Sequence, residues 1–223
     1  MEVYSTEEEQ IAAIKKWWKD NWLSLFGGVL IGIGILVGGK YWLDSKSFHA
    51  ASASVEYEAM IQSLARDQVE ETSNRAATLL GQYADTPYAG LAALTMAKIK
   101  TDKDDLATAK SHLRWAMDNV QQNEIKLEAQ IRLARVLLAE QKYDEALQQI
   151  NSINLPPYKV TVEELKGDIY VAKGNTENAR TAYSLALAEL DQSESNATPR
   201  MRNFLQMKLD DLGEVARPEG ESS

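Results

Sequence analysis

From Trp22 to Gly39 the chain reads WLSLFGGVLIGIGILVGG, 18 residues without a charged side chain. No other feature narrows the possible folds as much. A bilayer core about 30 Å thick takes roughly 20 mostly apolar residues wound as a helix. The 19 steps from Trp22 to Tyr41 rise about 28 Å at helical pitch. Aromatic side chains gather at both ends: Trp17, Trp18 and Trp22 at its start, Tyr41 and Trp42 after it. Rings with an apolar body and a polar edge settle at the membrane–water interface, so these five residues are expected there. Residues 22–43 are read as a transmembrane helix.

A cleavable leader would have a short basic start, a shorter apolar core and a small-residue cleavage site directly behind it. Here three glutamates (Glu7, Glu8 and Glu9) stand in the lead, and Lys40-Tyr41-Trp42 follows the apolar run. Ala51-Ser52-Ala53 comes too late to serve as that site. The helix is therefore expected to stay as a signal-anchor. Lys15, Lys16 and Lys19 precede it, whereas only Lys40 and Lys46 follow closely. The positive-inside bias then puts residues 1–21 in the cytoplasm and the long C-terminal part outside, which in a Gram-negative bacterium is the periplasm. Within residues 1–20, Ser5 and Glu8 fit a capping box, and Ile11, Ile14 and Trp18 share one helical face. That segment reads either as a surface helix at the cytoplasmic leaflet or as a continuation of the spanning helix.

The glycines of the run invite two misreadings. Gly34-Ile-Leu-Val-Gly38-Gly39-Lys40 fits most of a phosphate-binding loop, but Tyr41 stands where a metal-binding Ser or Thr belongs, and no soluble strand precedes it. Gly32-Ile-Gly34 alone is too little for a dinucleotide loop. Gly28 with Gly32, and Gly34 with Gly38, make two small-xxx-small pairs that permit close approach of another membrane helix. They read as helix-packing residues or as plain lipid-facing glycine.

Composition removes several classes of function. A net charge of −9 opposes nucleic-acid binding, which needs a basic surface. With no cysteine and only His49 and His112 as imidazoles, thiolate sites are excluded and histidine-rich metal sites are disfavoured. No nucleophile–base pair stands out. The chain is expected to carry no catalytic residue, cofactor, metal or small-molecule substrate.

Beyond the anchor the sequence repeats. LKGDIYVAKGNTENARTAYSLAL (165–187) places Gly167 and Tyr170 on a first helix, Gly174-Asn175 at a turn, and Ala179, Tyr183 and Ala186 on a second. Weaker copies precede it, and their equivalent alanines are Ala76, Ala109, Ala146 and Ala179. The spacings of 33, 37 and 33 residues bracket the roughly 34 of a tetratricopeptide unit. A small residue is needed there because the two helices of a unit cross closely. Large apolar residues four positions on fill the gap to the next unit, and three or more units must stack to bury their faces. Trp115 reads as core. By the same register Lys98, Arg135 and Asp168 are equivalent positions on first helices and form a candidate partner groove. The fold expected is all-α: a transmembrane helix followed by an α-solenoid of tetratricopeptide-like hairpins over 44–212. Residues 191–199 read as a loop, Pro199 to Leu212 as a capping helix, and 213–223 as a disordered tail.

This order of features resembles the YfgM family of bacterial inner-membrane proteins. The similarity is carried by GVLIGIGILVGGKYW, DTPYAGLAALTMAK, IRLARVLLAEQKYDEAL, GDIYVAKGNTENARTAY and LQMKLDDL. The resemblance implies a non-catalytic ancillary subunit of the SecYEG translocon that associates with the periplasmic chaperone PpiD. It further implies aid in handing client proteins over to periplasmic chaperones. The residues themselves leave open a membrane-anchored repeat scaffold for another envelope complex or for envelope-stress signalling.

Overall fold

The computed structural model describes residues 7–192 and 199–213. Ser5 of the expected capping box, most of the expected 191–199 loop, and the tail from residue 214 lie outside the described residues. Among the described residues the chain is all-helical, with nine α-helices, a 3-10 turn at Pro156–Tyr158 and no strand. It divides into two units, one ending at Ser52 and the other beginning at Ala53.

The first unit belongs to one helix, α1 (Glu7–Ala65). No proline occurs before Pro87, so nothing in the sequence breaks this helix, and the segment before the apolar run is its continuation. Leu30, Ile31, Ile33, Leu36 and Val37 point to several sides of α1, and all are more than half exposed. A helix apolar all round requires either a protein core or lipid. Its most apolar 18-residue stretch has none of its residues buried, and α1 is the one helix among the described residues long and apolar enough to cross a membrane.

The second unit starts with the C-terminal part of α1, which pairs with α2 (Val69–Gln82). Three more hairpins follow: α3 (Pro87–Asp102) with α4 (Leu106–Asn119), α5 (Asn123–Ala139) with α6 (Tyr143–Asn151), and α7 (Lys159–Ala172) with α8 (Thr176–Gln192). Helix α9 (Pro199–Asp210) packs on α8. The repeat alanines Ala76, Ala109, Ala146 and Ala179 all lie buried on the second helices. Four residues on, Leu113, Ile150 and Tyr183 are buried and Leu80 is half-buried. Trp115 packs against the main core, which runs through hairpins two to four.

All four turns close identically. Each holds one residue with a left-handed backbone: Asp67 (φ 57°), Asp104 (59°), Gln141 (60°) and Gly174 (78°). The next amide donates to the carbonyl five residues back, Gln68 to Ser63, Asp105 to Lys100 and Lys142 to Leu137 at 2.9 Å, and Asn175 to Tyr170 at 2.8 Å. This is the Schellman closure, which favours glycine at its left-handed position. Only the last hairpin has one. Gln141→Gly is therefore expected to stabilise the unit by about 1 kcal/mol. The check is the urea midpoint of the full chain in detergent micelles; an unchanged or lower midpoint refutes it.

Neighbouring hairpins are also joined by charge. Lys110 on α4 reaches Glu140 at 2.5 and 2.6 Å, and Lys142 pairs with the same carboxylate at 3.0 Å. Hydrogen bonds from Lys110 and then Lys142 hold the Glu140 carboxyl below its usual range. One joint further on, Lys173 pairs with Asp144 of α6. Glu140 and Lys173 occupy the same turn position, immediately before the left-handed residue.

Candidate docking groove and membrane helix

First helices of successive hairpins lie side by side, so their equivalent positions form rows. Lys98, Arg135 and Asp168 each stand six residues before a left-handed turn residue. The structure brings the first two to one cavity and places the third elsewhere. The cavity, of about 280 Å³, lies between α3, α4 and α5 over an apolar floor of Ala97, Leu113 and Val136. Lys98 pairs with Asp102 one turn on at 2.6 Å. Arg132, absent from the sequence expectation, is fixed twice: its Nε donates to Glu128 at 2.6 Å and a terminal nitrogen donates to the Leu94 carbonyl at 3.3 Å. The i,i+4 spacing of Glu128 and Arg132 is the one local sequence signal for it. Arg135 is exposed and makes no ion pair among the described residues.

Asp168 lies instead in a polar joint with α9. It accepts from the Tyr183 hydroxyl at 2.6 Å and from Lys208 Nζ at 2.7 and 2.9 Å. Lys208 also donates to Glu164 at 2.8 Å and sits 4.6 Å from the centroid of the Phe204 ring. Burial first, and then the bond to Asp168, push the Tyr183 phenol well above its ordinary range, so it stays protonated. Tyr183 lies flat against Gly167, where a Cβ would collide with the ring. Glycine there is a packing requirement. Leu205 of α9 is fully buried against Ala186 and Leu190 of α8.

On the membrane helix, a Cβ built at Gly28, Gly32, Gly34 or Gly38 would meet nothing within 4 Å. The two pairs start six residues apart, so they occupy separate faces roughly 120° apart around the helix. Trp17, Trp18, Trp22, Tyr41 and Trp42 are all about half exposed or more. Lys46 Nζ lies 4.4 Å from the centroid of the Trp42 ring, a cation–π pair just beyond the apolar run. Among the described residues, no group of three or more His, Asp or Glu side chains is placed to hold a metal ion.

The model of a family described as a tetratricopeptide repeat-like domain matches residues 15–214. The chain is also similar to proteins named ancillary SecYEG translocon subunit. That of Escherichia coli (strain K12) is 28% identical over 212 residues, 95% of this chain and 99% of the relative. That of Haemophilus influenzae is 29% identical over 210 residues, 94% of this chain and 99% of the relative. That of Neisseria gonorrhoeae is 27% identical over 213 residues, 95% of this chain and all of the relative. No solved structure matches. These relatives bear out the YfgM resemblance, and their alignments take in nearly the whole chain. With four hairpins closing on the same turn, and a family match reaching from Lys15 to Glu214, the chain belongs to the tetratricopeptide repeat-like domain family.

Proposed function

We propose that this chain is a non-catalytic ancillary subunit of the SecYEG translocon. It is anchored once in the inner membrane, with its N-terminus cytoplasmic and its helical domain periplasmic. There it associates with PpiD and helps to hand emerging proteins to periplasmic chaperones. One observation carries the reading: relatives with that printed name align over 94–95% of the chain, anchor and repeats together. The geometry supports it. A helix with bare glycine faces offers other membrane helices close approach, and a stack of helical hairpins offers a protein-docking surface.

The test compares the full chain with residues 44–223 in mild-detergent affinity purification, with bound proteins identified by mass spectrometry. The full chain is expected to recover SecYEG and PpiD, and the truncated form to lose the translocon. Recovery of an unrelated envelope assembly by both forms would overturn the proposal and leave only the fold.

A further inference from the structure

We propose that the cavity between α3, α4 and α5 docks a protein segment bearing a carboxylate side chain beside an aliphatic one. Arg135 receives the carboxylate. This rests on the reading of the helical domain as a protein-binding surface, and it names what that surface takes.

The argument starts from charge. The chain carries a net −9, yet three cations, Lys98, Arg132 and Arg135, ring this one cavity. Asp102 occupies Lys98 and Glu128 occupies Arg132, both at 2.6 Å. Arg135 is left uncompensated among the described residues. It lies one turn beyond Arg132, which Glu128 already pairs, so Arg135 supplies the uncompensated charge of the cavity wall. A guanidinium presents a planar fork that grips a carboxylate through two parallel hydrogen bonds. Directly beside it the floor is apolar and buried: Ala97, Leu113 and Val136. A space of about 280 Å³ holds a side chain or two and excludes a folded domain. A purely polar ligand would leave that floor unused, and a polyanion would be repelled by the acidic surface around it. An acidic side chain next to Leu, Ile or Val satisfies both halves of the site.

Asp168, equivalent in register, does not share this role because Lys208 and Tyr183 already occupy it. The occupant is another protein rather than the chain's own tail. In that tail Glu214 directly follows Gly213, whose carbonyl is held by Arg180 of α8 in the last hairpin, and Glu219 and Glu221 have Pro, Gly and Ser as neighbours rather than Leu, Ile or Val. The cavity belongs to hairpins two and three.

The probes are three fluorescein-labelled nonapeptides of alanine and leucine with Glu, Gln or Lys at the centre. Binding to the full chain in detergent micelles is read by fluorescence anisotropy. The Glu peptide is expected to bind roughly tenfold tighter than the Gln peptide, since a charge-assisted bond outweighs a neutral one. Added salt should erode that preference. Arg135→Gln should abolish it and Arg135→Lys retain part of it. All variants should keep the thermal midpoint of the unaltered chain, because the Arg135 side chain is exposed. Equal binding of the Glu and Gln peptides, or a preference that survives Arg135→Gln, overturns the proposal. So does a preference that emerges only after residues 214–223 are removed, since the tail would then be the occupant. Translocon recovery by the unaltered chain is read separately, so failure here is distinct from failure of the proposed function.

Discussion

Gly167→Ala is expected to cost the last hairpin at least about 3 kcal/mol, at the upper end of overpacking effects. The new Cβ would collide with the Cε1, Cδ1 and Cζ atoms of the Tyr183 ring. That ring cannot move aside, because it is buried and its hydroxyl is bonded to Asp168 at 2.6 Å. Relief therefore requires α7 and α8 to separate, and these two helices share an extensive interface. Hydrogen exchange should show protection lost over residues 159–192 before the first three hairpins. Gly167→Ala combined with Tyr183→Leu should recover part of the loss by removing the ring. A cost below about 1 kcal/mol would show that the helices yield more easily than a close-packed crossing allows. Gly28→Ala supplies the contrast, because its Cβ meets nothing and the stability of the hairpins should not change.

The second large effect is expected at Lys208. Substitution by methionine keeps the stem that covers Phe204 but leaves the Glu164 and Asp168 carboxylates facing each other without a cation. Breaking a fully buried pair costs about 3–5 kcal/mol. These side chains are 19%, 20% and 32% exposed, and solvent screening reduces the expected loss to about 2 kcal/mol. Asp168→Asn in the Lys208→Met background should restore part of it, and a double-mutant cycle measures the coupling. The readouts are the thermal midpoint and amide exchange within α9. A loss of only a few tenths of a kcal/mol would mean that Leu205 alone holds the cap.

The repeat alanines were legible because close helix crossing restricts residue type, and Ala76, Ala109, Ala146 and Ala179 carry that restriction at nearly constant spacing. The turns were less so. Glycine announces only Gly174, while Asp67, Asp104 and Gln141 are driven into the same left-handed conformation by the hydrogen bonds that close the hairpin. Aspartate tolerates that region better than most residues, but nothing in the sequence marks Gln141. Register placed Lys98 and Arg135 at one position type, and the structure sets both at one cavity. The same register could not foresee the surroundings of Asp168. Its partner Lys208 lies 40 residues away on a helix outside the repeat, and no period links the two. The continuity of α1 from Glu7 was readable in part, since no proline interrupts it.

The charged joints between hairpins act as an assembly order. The Lys173–Asp144 joint is exposed and contributes less than about 1 kcal/mol, whereas the Lys110–Glu140 joint is largely enclosed. Their signs alternate. At one turn position hairpin three presents an acid, Glu140, to the lysine of hairpin two, and hairpin four presents a base, Lys173, to the acid of hairpin three. A hairpin that skipped its neighbour would bring Lys173 to Ala107, the residue equivalent to Asp144, with Lys110 one turn away and no acid in place. During folding beside a crowded membrane, where similar hairpins from two chains can meet, attraction at the right joint is lost at the wrong one.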